Sequence, residues 1–370
     1  MNHSALKTIF PSIYSIYWSI VVRMSQVSRA VDRFLLTPYF GIRKFLNIGL
    51  VGAQFFLFKN SKVMGYPFKI SFDPSSICQL KCPLCPTGQG QKGRSLGRMN
   101  FENYKKIVKE MAPWLYEIDL NNWGEPFLNK DLLKMAEFAH KKNIRTSVNT
   151  NLNVVFDEKM AEGIVKSGLD VLYISMDGIT QKTYEKYRKG GNLKRVWKNI
   201  ELVANAKKSL GSRTPKILWQ FLVMRHNEQE LKDLEAVRQK LGVDEIAVGN
   251  VRSDMGKEIF TSDKEKVAET KNWLPSSDDL SRYDYSKGER KNRKKSCGFL
   301  WFVSIVNWNG SVAPCCSNYN ESLDFGNAFE QGFKAVWNNQ KYMSARKAVA
   351  KMQPESNTVC DNCIKNGFID

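Results

Sequence analysis

Cysteine spacing is the strongest chemical signal in this chain. Cys78, Cys82 and Cys85 fall within eight residues, in the run Cys-Gln-Leu-Lys-Cys-Pro-Leu-Cys, so one loop can present three thiolates to one face of a metal centre. Thiolates are soft ligands that suit iron–sulfur clusters or zinc. A structural zinc or a plain electron-carrying [4Fe–4S] cluster wants a fourth protein ligand, and no nearby His or Cys supplies one. One iron of a cluster held here is therefore open to an outside molecule. The other five cysteines, Cys297, Cys315, Cys316, Cys360 and Cys363, all lie toward the C-terminus. That segregation argues for a second site.

These residues need a scaffold, and the chain supplies a repeating one. Residues 66–251 alternate strand-like and helix-like segments, the pattern of successive βα units around a parallel sheet. Six strands are expected, at 68–72, 117–120, 144–149, 171–175, 217–223 and 245–248. Amphipathic crossover helices are expected at 101–111, 131–142, 157–167, 193–208 and 228–241. The expected fold is α/β: a partial (β/α)6 TIM-like barrel, a small C-terminal cluster-binding α+β module at 297–370, and a basic, amphipathic helical extension at 1–65. Residues 252–296 read as a charged linker closing in the basic run 287–295. Parallel barrels place their reacting groups on loops at the C-terminal ends of strands, and Cys78 follows the first strand directly.

CxxxCxxC is the signature of the radical S-adenosylmethionine superfamily, which this sequence closely resembles. In that family the amino and carboxylate groups of S-adenosylmethionine chelate the fourth iron of a [4Fe–4S] cluster. An electron from the cluster cleaves the sulfonium bond, and the 5′-deoxyadenosyl radical released takes a hydrogen atom from substrate. The resemblance implies that Cys78, Cys82 and Cys85 hold the catalytic cluster; Leu84 stands where relatives usually carry an aromatic residue. Gly124-Glu125-Pro126, just past the second strand, resembles the GEP motif, whose backbone approaches the methionine amino group. Asn149 at the end of the third strand, and Ser175 and Asp177 at the end of the fourth, resemble segments that contact the ribose and carboxylate. Arg188 follows them as an arginine does in many relatives, which implies a fork onto the methionine carboxylate. From the residues alone, Asn and Asp at strand ends also serve as turn formers, and Arg188 also reads as a surface residue.

The C-terminal cysteines resemble the single-cluster, twitch-like version of the SPASM extension. Cys297 is followed thirteen residues later by Gly310, then by Cys315, and the chain closes on Cys360-Asp361-Asn362-Cys363. The resemblance implies that Cys297, Cys315, Cys360 and Cys363 saturate an auxiliary [4Fe–4S] cluster whose expected role is electron transfer; zinc on the same four thiolates is the alternative. Gly310 permits a tight hairpin, so that Cys297 and Cys315 can meet across paired strands. Cys316 is left over and is expected to be a small buried apolar residue. Trp337, Asn338, Asn339 and Arg346 are expected to pack.

Composition sets the outer bounds. With 42% hydrophobic and 25% charged residues the chain is neither disordered nor a multi-span membrane protein. Its 370 residues fit one barrel with an appendage. Cysteines in metal-ligand spacing and no evident cleavable signal point to a reducing cytoplasm. Lys and Arg outnumber Asp and Glu by 56 to 37, a net charge of +19, which attracts phosphates, nucleic acid or anionic lipid without choosing among them. The first 66 residues carry eight cations against Asp32 alone, a net charge of +7. Their two uncharged, aromatic-rich runs, 8–22 and 45–58, are shorter than the ~20 residues a bilayer span requires. They suit helices lying in the headgroup region of the cytoplasmic membrane face, or helices packed on the barrel. The expected function is a radical S-adenosylmethionine enzyme, oxidoreductase-type, that oxidises or rearranges a sugar, lipid-linked or peptide substrate and draws electrons from a flavodoxin or ferredoxin. A basic iron–sulfur protein that modifies RNA is the alternative. With three histidines, His3, His140 and His226, no general base stands out.

Overall fold

The computed structural model describes residues 38–39, 41–251, 271–287, 289–291, 296–355 and 358–365. Helix α1 (Ile42–Ala53) and a π-helical turn (Gln54–Phe58) precede six parallel strands. These are β1 (Lys69–Phe72), β2 (Glu117–Leu120), β3 (Arg145–Thr150), β4 (Val171–Ser175), β5 (Lys216–Val223) and β6 (Glu245–Asn250). The crossovers are α2 (Phe101–Met111), α3 (Leu132–Lys141), α4 (Glu158–Lys166), the pair α5 (Gln181–Tyr187) and α6 (Leu193–Ser209), and α7 (Leu234–Leu241). Local chemistry starts several of them. Asn100 accepts from the Glu102 and Asn103 N–H groups, Asp157 from Met160 and Asn192 from Arg195, satisfying donors that a helix start leaves open.

Strand alternation explains the layers. Ile118, Leu120, Ile217, Trp219 and Phe221 are fully buried, while Lys69, Asp119, Asn149, Ser175 and Gln220, on the other parity of their strands, line an internal cavity. The apolar set supports the helix layer and the polar set faces the lumen. This barrel interior is not a filled apolar core.

Among the described residues the sheet is open and has eight strands, the six above in sequence order with β9 (Val303–Val306) beside β1 and β10 (Val312–Ala313) outside β9. After a small hairpin of β7 (Tyr283–Asp284) and β8 (Glu289–Arg290) comes a short helix α8 (Phe299–Phe302), then β9 (Val303–Val306), which pairs in parallel with β1. Strand β10 (Val312–Ala313) turns back antiparallel to β9. At the turn Gly310 has φ of 87°, and a Cβ there would meet the Asn327 side chain at 2.5 Å, so glycine is required. The C-terminal module thus extends the barrel sheet itself. It is completed by α9 (Ala328–Gln331), α10 (Phe333–Trp337), α11 (Gln340–Lys351) and α12 (Val359–Lys365). Arg346, fully buried, donates to Leu300 O, Ser61 O, Asn338 Oδ1 and Trp337 O and stacks on Trp337, a packing role for the 337–346 segment.

The stretch expected to be a linker is partly built structure. Leu274 and Tyr283 are buried in a second apolar cluster with Leu80, Leu84, Tyr187 and Met224, against the first cysteine loop. Where the basic run is described, Lys287 and Lys291 stand 3.8 and 3.7 Å from Asp284 and Asp278. The rest of it, like the run 8–22, lies outside the described residues. No helix among the described residues is long and apolar enough to cross a membrane.

Candidate functional site

The loop that leaves β1 carries Cys78, Cys82 and Cys85 over the C-terminal end of the sheet. Its base is fastened by Met99 N–H to Pro74 O (2.9 Å), Ser76 N–H to Gly97 O (3.1 Å) and Glu125 N–H to Ile77 O (2.9 Å). Gly124 lets the β2 loop lie against this base, because a Cβ there would come within 2.0 Å of Ser75 O. All three cysteines border one cavity of about 830 Å³, together with Gly124, Glu125, Asn149, Ser175 and Arg188. The structure therefore brings the three cysteines together with residues from the ends of β2, β3 and β4 at a single mouth. Burial pushes the Cys78 thiol up to about 12 and raises Cys82 as well, since a desolvated thiolate is disfavoured. Three soft donors beside groups able to grip an amino-acid carboxylate and a ribose fit an open [4Fe–4S] cluster with S-adenosylmethionine.

The polar residues divide by role. Glu125 is buried; its carboxylate accepts from Phe127 N–H (3.1 Å), Thr150 Oγ1–H (2.6 Å) and Asn151 N–H (2.8 Å), tying the β2 loop to the end of β3. Pro126, also buried, opens the 3-10 turn Pro126–Leu128 and does not border the cavity. Ser175 Oγ–H donates to Asn149 Oδ1 at 2.8 Å, and Asn149 Nδ2–H donates to Gln220 Oε1 at 3.1 Å, so a chain of side chains spans β3, β4 and β5. Asp177 departs from the expectation of a direct cofactor contact. It is fully buried and absent from the cavity wall, accepting from Arg188 Nε at 2.6 Å and from Leu222 N–H at 2.7 Å. Arg188 is the group that reaches the cavity, and Asp177 holds it there.

The C-terminal cysteines converge separately. Cys360 and Cys363 share one face of α12, Cys315 follows β10 and Cys297 precedes α8. Burial raises the Cys315 and Cys360 thiols well above the ordinary range, and each is raised further by its neighbours: Cys363, Cys316 and Cys297 around Cys315, and Cys315, Cys363 and Cys297 around Cys360. Asp361 organises the approach by accepting from Thr358 N–H (2.8 Å) and Glu355 N–H (3.0 Å). Cys316 corrects the expectation of a buried apolar residue: it is exposed and lines the same cavity as Cys78, Cys82 and Cys85. The bend after β10 sends the two adjacent sulfurs in different directions.

A buried clamp joins the two cysteine regions. Arg94, on the first cysteine loop, grips Asp324 through NH1 to Oδ2 (2.9 Å) and NH2 to Oδ1 (3.0 Å), and also donates to Tyr319 O and Asn318 O. Asn122 Nδ2–H adds a bond to Asn307 Oδ1 at 2.9 Å. Sequence reasoning missed these residues and also the lumen network, in which Lys69 bridges Glu117 (2.7 Å) and Asp119 (2.6 Å) while Ser147 donates to Asp119 (2.6 Å). A signal existed for the lumen. Asp119 between Ile118 and Leu120, and Gln220 between Trp219 and Phe221, are polar residues at alternate positions of otherwise apolar strands.

An open parallel barrel with a cysteine loop after its first strand, fused through its sheet to a cysteine-bearing module, defines a class of cluster enzyme, and sequence families agree with it. The model of the radical SAM superfamily matches residues 73–235, and that of the SPASM iron–sulfur cluster-binding domain matches 297–364. The chain belongs to the radical SAM superfamily and carries a C-terminal SPASM domain, so [4Fe–4S] clusters and S-adenosylmethionine are its cofactors. It is 23% identical over 288 residues to a tungsten-containing aldehyde ferredoxin oxidoreductase cofactor-modifying protein of Pyrococcus furiosus, covering 72% of this chain and 80% of that one. It is 24% identical over 265 residues to a GTP 3′,8-cyclase of Clostridium botulinum, covering 66% and 79%. Among solved structures, Streptococcus suis SuiB bound to its precursor peptide SuiA superposes with a TM-score of 0.58 at 16% identity, covering 90% of this chain and 80% of that one. The AdoMet-bound anSMEcpe superposes with 0.54 at 18% identity, covering 78% and 84%. These structural likenesses establish the fold.

Proposed function

We propose that this chain is a radical S-adenosylmethionine dehydrogenase acting on a polar, hydroxyl- or amine-bearing substrate of the sugar-like or peptide kind. One observation carries the reading: Cys316 lines the cavity of Cys78, Cys82 and Cys85, while its neighbour Cys315 belongs to the second cysteine set. An electron leaving the substrate then finds an acceptor site directly behind the cavity wall. On this reading Cys78, Cys82 and Cys85 hold the open cluster and Cys297, Cys315, Cys360 and Cys363 the saturated one. When bound, the open cluster and S-adenosylmethionine supply the capacity to take a hydrogen atom from a substrate C–H bond. Arg188, fixed by Asp177, forks onto the methionine carboxylate, Asn149 and Ser175 meet the ribose hydroxyls, and the Gly124–Glu125 backbone borders the amino group.

Loss of a hydrogen atom, an electron and a proton completes a two-electron oxidation, and the proton needs an acceptor. Of the carboxylates that line the cavity, Glu125 is fully engaged with Phe127, Thr150 and Asn151. The other, Asp119, accepts from Lys69, Ser147 and Ser71 on the lumen side of β2 and β3, and we assign the proton to it for its place among the polar lumen residues. The polar lumen formed by Lys69, Asp119, Asn149 and Gln220 is the support for a hydrogen-bonding substrate.

The test is anaerobic turnover of the reconstituted protein, reduced by a flavodoxin or ferredoxin, with polyols, amino sugars and short peptides. The expected product is two hydrogens lighter than its substrate, formed with one equivalent of 5′-deoxyadenosine. A product of unchanged mass overturns the dehydrogenase reading in favour of a rearrangement. Asp119→Asn should keep S-adenosylmethionine cleavage while slowing product formation by about 100-fold.

A further inference from the structure

Helix α1 is inside-out. Lys44 and Asn47 of the helix and Gln54 of the π-helical turn that follows are buried against the protein: Lys44 donates to Asn143 O, Asn47 exchanges two bonds with the Tyr66 backbone (2.8 and 2.9 Å), and Gln54 Oε1 accepts from Met64 N–H (3.1 Å). Burial lowers the Lys44 ammonium to about 8, which shows how far that cation is withdrawn from water. Meanwhile Ile42, Leu46, Phe56, Leu57 and Phe58 are 61–73% exposed. Of the twelve large hydrophobic residues exposed among the described residues, eight fall between Ile42 and Met64, so this is one concentrated face and not ordinary scatter.

We infer that this face docks the protein on an anionic membrane surface. The charge around it selects the occupant. Arg43, Lys59 and Lys62 are exposed at its margins, and no Asp or Glu occurs between Asp32 and Asp73. Apolar insertion rimmed by cations is the requirement for a bilayer bearing acidic headgroups. The twelve residues of α1 are too few to span, so the helix lies in the interface plane. Its anchors fix the orientation: Tyr66 stands before β1 and Asn143 before β3, and Tyr39, just upstream, donates to Asp170 before β4 (2.5 Å). The helix therefore covers the N-terminal end of the barrel, opposite the cysteine loop. Docking leaves the catalytic cavity facing away from the lipid, open to a soluble electron donor and substrate.

The experiment is flotation of the full-length reconstituted protein with phosphatidylcholine vesicles, with and without phosphatidylglycerol. Wild type should float with the anionic vesicles and less with the neutral ones, and high salt should reduce the bound fraction without abolishing it. Leu46→Glu with Leu57→Glu should retain both clusters and the circular dichroism spectrum yet bind at least about tenfold more weakly. Lys59→Glu with Lys62→Glu, which leaves the apolar residues intact, should lose several-fold on anionic vesicles only. Wild type that never floats, or a Leu46→Glu, Leu57→Glu protein that floats equally well, overturns the inference. A concentration-dependent dimer that the same pair of changes dissolves, without flotation of wild type, assigns the face to a second copy and overturns it too.

Discussion

Around Cys78, Cys82 and Cys85 the protein sets a cavity wall of charges and amides, with Arg188, Glu125, Asn149 and Gln220 within it. Around Cys297, Cys360 and Cys363 it sets apolar packing, with Leu300, Trp301 and Val359 in the same core cluster. Both sites use the same donor atom. The difference lies in how many donors converge and in what the remaining space is for. Three cysteines on one loop leave room for a ligand and need polar groups to orient it. On the proposed assignment, four cysteines from three segments would enclose their cluster, and desolvation would then favour a group that exchanges electrons without exchanging ligands.

The sharpest way to break this comparison is to delete each set in turn. Protein with Cys78, Cys82 and Cys85 all changed to Ala should keep about half of roughly eight iron atoms and lose all S-adenosylmethionine cleavage; full iron with retained cleavage would remove the basis of the first site. Cys360→Ala with Cys363→Ala should lose the other half yet retain slow, uncoupled cleavage. If that variant loses zinc and no iron, the second site is a zinc module. Cys316→Ala should keep both clusters by electron paramagnetic resonance, whereas Cys315→Ala should lose one; the reverse result would exchange the two neighbours.

The clamp between the regions predicts a smaller, structural effect. Arg94 and Asp324 are almost fully buried, so Arg94→Ala leaves an unpaired carboxylate and should cost about 3–5 kcal/mol, read as a fall in thermal midpoint of the cluster-loaded protein. The smallest effect concerns Asp177, which acts through Arg188. Asp177→Asn should weaken S-adenosylmethionine binding by about tenfold, with iron content unchanged. Unaltered binding by calorimetry would show that Arg188 needs no such positioning.

Much of the first site is legible in the sequence because its parts are local. Cysteine spacing reads directly from the chain, and each barrel strand is found within two residues of its expected place because apolar runs and turn residues bound it. Asp177 and Cys316 were less legible. A residue at a strand end or beside a ligand has several directions open to it, and only packing chooses: Asp177 turns under Arg188, and Cys316 turns outward to the cavity. The Arg94–Asp324 pair is separated by 230 positions, with nothing local to announce it.

Residues 42–58 draw the line most clearly. The sequence by itself determined that this stretch is basic at its margins, helical and two-faced, because periodicity follows from the 3.6-residue turn of the backbone. It could not determine which face turns inward, since periodicity is unchanged by rotating a helix about its axis. Only the tertiary structure decided that, by offering Asn143 O and the Tyr66 backbone as hydrogen-bond partners at the barrel's end. Buried backbone groups must be paired, so the polar face went in and the apolar face was left outside.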